Sequence, residues 1–211
     1  MNHNHFAYFI YELEPVLENI LKLVKNSGEP LMEGSCFYQH QTQDTRIAHL
    51  FTKQYNLYSA SKEAKNILEI GFNAGHSCLI FLNSNPYSQI TVFDICEHKY
   101  TKPCFEYLSS LFPGRLTLIE GDSTITVPSW KEKNPSAKFD LIHIDGAHDP
   151  VIADKDFNNC YTIATDKIIW DDTQDSELRK LLDSYIEKKL VEEVKIEETY
   201  VYKHAIVKVL S

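Results

Sequence analysis

From about residue 66 onward, the chain alternates short apolar runs with longer stretches of helical periodicity. The apolar runs, bounded by turn residues, predict strands near 66–70, 90–94, 115–120, 139–144 and 167–170. The segments between them, near 76–84, 101–112, 124–132, 150–161 and 174–188, read as helices. Such alternation calls for an α/β fold, a mostly parallel sheet with helices on its faces. Residues 190–196 and 205–210 read as two further strands joined by a polar turn, a hairpin closing the chain.

Ahead of this core, Phe6, Phe9, Ile10, Leu13, Leu17, Ile20, Leu21 and Val24 recur at helical spacing. Pro15 interrupts them and Ser27-Gly28 stops them, so one or two N-terminal helices are expected. Another helix is expected from about residue 45 to 60, carrying Ile47, Leu50, Phe51, Tyr55 and Leu57 toward the first strand. Residues 29–44 have no clear period; they read either as a lid or as an irregular connector that packs its aromatics on the core.

With 211 residues, 43% of them hydrophobic and 24% charged, the chain is expected to form one domain, a helical region over 1–60 and an α/β core over 66–211. Its net charge of −9 works against a broad phosphate-backbone footprint, so nucleic acid is not an expected partner. The five cysteines are scattered without a C-x-x-C pair or zinc spacing and read as reduced core thiols. No stretch approaches 18 apolar residues and the N-terminus lacks a basic region followed by an apolar run, so no membrane partner and a cytoplasmic location are expected. A homo-oligomer and a place in a larger multidomain chain both stay open.

The stretch 66–77, N-I-L-E-I-G-F-N-A-G-H-S, joins the first strand to a helix through Gly71 and Gly75. Glycines permit unusual φ, and the helix N-terminus offers N–H groups to an anionic ligand. Asn73 stands where a dinucleotide fingerprint needs its second glycine, so a pyrophosphate would be poorly served. The pattern E-x-G-x-x-x-G, here Glu69, Gly71 and Gly75, resembles the first motif of the class I S-adenosylmethionine-dependent methyltransferases. That resemblance implies a Rossmann-like, doubly wound sheet with a C-terminal antiparallel hairpin. It also implies a cofactor site drawn from Glu69, Gly71, Asn73, Gly75, Ser77, Asp94, Asp122 and Ser123.

Ligands of open α/β sheets bind beyond the carboxyl ends of the strands, and four of the five ends here are acidic. Asp94 closes T-V-F-D-I, twenty-three residues after Gly71, where a carboxylate can accept both ribose hydroxyl protons; a turn or helix cap is its bland alternative. Asp122 and Ser123 follow the third strand. The resemblance sets Asp122 against an adenine amino group, and capping of the next helix is the parallel reading.

The fourth and fifth strands read F-D-L-I-H-I-D-G-A-H-D and K-I-I-W-D-D-T, presenting Asp145, Asp171 and Asp172 at neighbouring ends. Three carboxylates gathered without a cation repel by several kcal/mol, and hard oxygen ligands suit Mg²⁺, Mn²⁺ or Ca²⁺ rather than zinc. Either Asp171 or Asp172 could instead cap the helix beginning near Gln174. An aspartate after strand four with an Asp-Asp pair after strand five resembles the metal triad of the cation-dependent O-methyltransferases. The Asp-Asp pair and the run H-I-D-G-A-H are similar to the branch acting on antibiotic sugars, whereas the catechol-type branch carries Asp-Asn.

The resemblance therefore implies a divalent cation, Mg²⁺ or Mn²⁺, held by Asp145, Asp171 and Asp172, and a small-molecule or glycan acceptor with a vicinal diol. His148 stands where catechol-type enzymes carry a lysine base, so His148 or Asp145 is the candidate proton acceptor. His143 reads as a core histidine, and His204 carries no partner pattern. Three alternatives stand beside this reading. One is a phenolic acceptor; another is metal-independent transfer in which the aspartates only cap helices; the third is a non-catalytic S-adenosylmethionine-binding module of a larger glycan-modifying protein.

Overall fold

The computed structural model describes residues 3–31, 35–39 and 48–210. The chain opens with α1 (His3–Glu12) and α2 (Glu14–Ser27). Pro15 sits in the first turn of α2, where its missing N–H has no helical partner to lose. Gly28 ends the helix in a left-handed conformation, φ 78°, donating its N–H to the Lys25 carbonyl. A 3₁₀ turn at Ala48–Leu50 leads into α3 (Phe51–Ser61). The beginning expected for that helix, at 45–47, and most of the segment weighed as a lid lie outside the described residues.

The α/β core then runs β1 (Asn66–Ile70), α4 (His76–Ser84), β2 (Gln89–Asp94), α5 (Thr101–Leu111), β3 (Leu116–Glu120) and α6 (Ser123–Lys133). It continues with β4 (Phe139–Ile144), α7 (Pro150–Tyr161), β5 (Ala164–Trp170), α8 (Ser176–Glu187), β6 (Val191–Glu193) and β7 (Ala205–Val209). The sheet order is β3-β2-β1-β4-β5-β7-β6. Neighbours among the first five strands pair in parallel, and β7 runs antiparallel between β5 and β6. The expected hairpin is present, with its second arm inserted next to β5.

Alternation along the strands sorts side chains onto two faces. Ile67, Leu141, Ile169 and Ile206 face the layer that contains α1 to α5. Leu68, Ile142, Ile168 and Val207 face α6, α7 and α8. Each such buried aliphatic contributes about 1.5–3 kcal/mol relative to exposure. The layer is deepest at α4, where every residue from His76 to Leu82 is buried. All five cysteines are free thiols, and all but Cys96 are buried.

Register decides what meets at the top of the sheet. Ile70 pairs with Phe93 and Ile144, Ile144 pairs with Trp170, and Trp170 pairs with Ala205. One step further, the backbone ladder continues from Gly71 N–H to the Phe93 carbonyl, from Asp145 N–H to that of Ile70, and from Asp171 N–H to that of Ile144. Gly71, Asp145, Asp171 and His204 thus stand in one row at the strand ends. The strand order reverses between β1 and β4, within this row, which is where open α/β sheets leave a crevice.

Candidate active site

The glycine turn is shaped first by its protein neighbours. Gly71 has φ +89°, and a Cβ there would lie 2.0 Å from the Asp145 carbonyl oxygen. Gly75 has φ +82°, and a Cβ there would lie 2.5 Å from the Phe72 ring. Both positions exclude any side chain on conformation and on space. The close backbone approach that glycine permits at Gly71 is to the end of β4.

Asp94 ties this turn to the end of β2. Its Oδ2 accepts the Phe72 and Asn73 N–H groups at 2.7 and 2.9 Å, and its Oδ1 accepts the Cys96 N–H at 2.6 Å. Asn73 is itself left-handed, φ 52°, and its side-chain oxygen accepts the Tyr100 hydroxyl at 2.8 Å. At the turn a cleft is lined by Gly71, Phe72, Asn73, His76 and Ser77. Its lining also includes Ser35, Cys36, Lys53, Asp145 and His148.

Two expected cofactor contacts are placed differently. Glu69 is wholly buried beneath the cleft, because its parity along β1 turns it toward α4. It accepts the Ser77 hydroxyl at 2.5 Å and meets His143 Nδ1 at 3.0 Å, so it braces the site from below. Asp122 is the N-cap of α6, accepting the Thr124 N–H at 2.8 Å and its hydroxyl at 2.7 Å, which lowers its pKa. Ser123 bonds instead to the buried Asp156 carboxyl. Capping therefore accounts for Asp122, whose exposed side chain is free to face a ligand as well.

The carboxylate trio divides. Asp171 continues the alternation of β5 onto the α3 side, where Lys53 Nζ lies 2.5 Å from its Oδ2 with both side chains sealed from solvent. Asp172 turns away in a left-handed conformation, φ 54°, and meets His148 Nε2 at 2.7 Å. Among the described residues, the sets whose ligand atoms converge are His143 with Asp145 and Asp171, and Asp145 with His148 and Asp172. The expected trio of Asp145, Asp171 and Asp172 is thus divided between these two groups, which share Asp145. Adjacent residues diverge at the end of β5, and an ammonium already neutralises Asp171. Neither aspartate caps α8; Asp175 does, accepting the Glu177 and Leu178 N–H groups.

Lys53, His143 and His204 complete the cluster, and none was singled out from sequence as part of the site. Burial alone would lower the pKa of Lys53, but Asp171 and Asp145 outweigh it and raise it above the ordinary value. Burial likewise opposes charge on His143, yet the Glu69 hydrogen bond and the Asp145, Glu69 and Asp171 carboxylates raise its pKa. His143 Nε2 has no hydrogen-bond partner and lies 3.9 Å from both Asp145 and Asp171. Asp145 is pushed well above the carboxylate range, by burial first and by Asp171 next. Asp171 is held below it because Lys53 and His143 overcome the penalty of burial.

A parallel sheet with this strand order, a glycine turn after β1 and acidic residues at the following strand ends define a class I methyltransferase fold. Residues 68–173, about half of the chain, match the methyltransferase domain family, and the chain belongs to that family. No curated protein matches its sequence. An O-methyltransferase from Bacillus cereus, solved in complex with SAH, is similar with a TM-score of 0.68 and 17% identity over 100% of both chains. The O-methyltransferase TomG from Streptomyces achromogenes, involved in tomaymycin synthesis and solved with SAM, has a TM-score of 0.67 and 14% identity over 100% of this chain and 99% of its own. CalS11, a TDP-rhamnose 3'-O-methyltransferase in calicheamicin biosynthesis, has a TM-score of 0.62 and 18% identity over 77% of this chain and 80% of its own. The fold is thus the one that S-adenosylmethionine-dependent O-methyltransferases share.

The residues present fit that cofactor. Gly71, Asn73 and Ser77 line the cleft, and the Asp94 carboxylate holds the Phe72 and Asn73 N–H groups of the same turn in place. No helix among the described residues is long and apolar enough to cross a membrane.

Proposed function

We propose that the chain transfers a methyl group to a hydroxyl of a sugar or glycan diol, with His148 as the base. S-adenosylmethionine, when bound, supplies a methyl carbon that the hydroxyl oxygen attacks, the carbon–sulfur bond breaking as the carbon–oxygen bond forms and the hydroxyl proton departing. Asp94, Asn73 and Ser77 bind the cofactor at the glycine turn. His148 collects the proton, and the Asp172 carboxylate on its Nε2 orients the ring and stabilises its charged form.

The observation that carries this reading is the His148–Asp172 pair. It puts a carboxylate-oriented imidazole, half exposed, on the cleft wall beside Asp145. Asp145 lines the same cleft, within reach of an acceptor held beside His148. A wall of Ser35, Lys53, Asp145 and His148 suits a polyhydroxylated acceptor better than a flat phenol, and the similarity in fold to a TDP-rhamnose 3'-O-methyltransferase supports the same class.

The test is release of S-adenosylhomocysteine with TDP-rhamnose and with catechol, offered side by side. Turnover on the nucleotide sugar and little on catechol is expected; the reverse preference would replace the acceptor class. His148→Ala should lose roughly 10²–10⁴-fold in kcat while S-adenosylhomocysteine affinity stays unchanged.

A further inference from the structure

Three carboxylates at neighbouring strand ends pose an electrostatic problem, and the protein solves it with its own side chains. Asp171 has Lys53 at 2.5 Å, Asp172 has His148 at 2.7 Å, and His143 Nε2 stands 3.9 Å from Asp145 and Asp171 alike. Every carboxylate of the trio therefore faces a nitrogen group from the same chain. Lys53 is the decisive member. It projects from α3 into the first row of the site, its side chain is 5% exposed, and it lines the same cleft as Gly71, Asn73 and Asp145.

We propose that the Lys53 ammonium performs the task a divalent cation would perform here: it neutralises Asp171 and holds the acceptor oxygen toward the cleft, so that methyl transfer proceeds without metal. The proposal rests on the transferase reading above, and it assigns Lys53 a direct contact with the acceptor. The geometry favours it because an ion on Asp171 would have to share that carboxylate with a buried ammonium, at a distance where two cations repel strongly in a poorly solvated site. The ammonium keeps three donors, of which one is used by Asp171. A second donor can serve an acceptor oxygen without breaking the pair.

The test separates the lysine from the metal without depending on turnover. Mn²⁺ is titrated into the protein saturated with S-adenosylhomocysteine, and the free-ion signal is followed by electron paramagnetic resonance. Wild type should bind Mn²⁺ no more tightly than about 1 mM, the regime of weak surface carboxylates. Lys53→Met, which frees Asp171, should gain at least about tenfold in Mn²⁺ affinity. Lys53→Met/Asp171→Asn, which removes both charges and stays foldable if the single variant does not, should lose that gain.

In turnover with TDP-rhamnose, wild type should keep its rate in excess EDTA, and Lys53→Met should fall at least about tenfold and recover partly with Mn²⁺. Micromolar Mn²⁺ binding by wild type, or loss of turnover in EDTA with recovery on adding Mn²⁺, would overturn the proposal and leave the transferase reading standing. Failure of wild type to bind S-adenosylhomocysteine at all would sink the transferase reading, whatever Mn²⁺ does.

Discussion

Lys53 and Asp171 form a buried ion pair, 2.5 Å between Nζ and Oδ2, that joins α3 to the end of β5. The pair couples the helical layer to the strand ends where the chemistry is assigned. Removing one partner leaves the other charge buried and unpaired. Lys53→Met is expected to destabilise the protein by roughly 3–5 kcal/mol, with Lys53→Met/Asp171→Asn recovering most of the loss. Urea denaturation measures both; a single-variant loss under about 1 kcal/mol would mean that water reaches Asp171.

Gly71 should tolerate no side chain. The Cβ of Gly71→Ala would lie 2.0 Å from the Asp145 carbonyl oxygen at a backbone φ of +89°, so β1 and β4 would have to separate at the strand ends. A loss of at least about 3 kcal/mol is expected, from overpacking and backbone strain together. Gly28→Ala is the control, because its Cβ meets nothing within 4 Å and only the left-handed conformation opposes it, which implies about 1 kcal/mol. Equal losses at the two positions in chemical denaturation would contradict the close approach at Gly71.

His204 should make stability fall in acid. Burial lowers its pKa from 6.5 to about 4, so the folded protein keeps it neutral while the unfolded chain protonates it. Between these values the unfolded state binds the extra proton, and stability decreases as pH falls from 6.5 toward 4, by up to roughly 3 kcal/mol. His204→Gln should flatten that part of the profile. The difference between the wild-type and variant unfolding curves across this range isolates the contribution, and parallel curves would contradict it.

Much of the fold was legible because strand and helix periods differ. Strand 66–70, strand 139–144 and helix 150–161 were expected with the bounds they have, as Asn66–Ile70, Phe139–Ile144 and Pro150–Tyr161. The acidic strand ends were legible too, since ladder and crossover place them in one crevice. What sequence could not supply was side-chain direction. Glu69 looked like a ligand contact in its motif, but parity along β1 turns it under the cleft onto Ser77 and His143. Asp171 and Asp172 looked like a matched pair, yet successive residues leave opposite ways at the end of β5.

Lys53 was invisible for a different reason. It lies on a helix more than one hundred residues away in sequence from Asp171, and a lysine among polar helix positions reads as solvated. His204 is brought to Asp171 only by the β5–β7 register, which no local pattern announces. One signal was available for Lys53: a concentration of carboxylates at buried strand ends demands compensating charge, from an ion or from the chain itself.

Asp145 and Asp94 should separate chemistry from cofactor binding. Asp145→Ala is expected to keep S-adenosylhomocysteine affinity within about twofold and to lose at least about tenfold in kcat, as a group that acts on the acceptor would. A large loss of affinity with kcat preserved would place Asp145 in the cofactor site instead.

Isothermal titration of S-adenosylhomocysteine into wild type and Asp94→Asn tests the central claim most directly. Asp94 holds the Phe72, Asn73 and Cys96 N–H groups and is assigned to the cofactor, so wild type should bind in the micromolar range. The variant should bind roughly 10–100-fold more weakly, the loss expected for charged hydrogen bonds. No heat with wild type, or equal affinity in both proteins, would contradict a methyltransferase cofactor site at the Gly71–Asp94 turn.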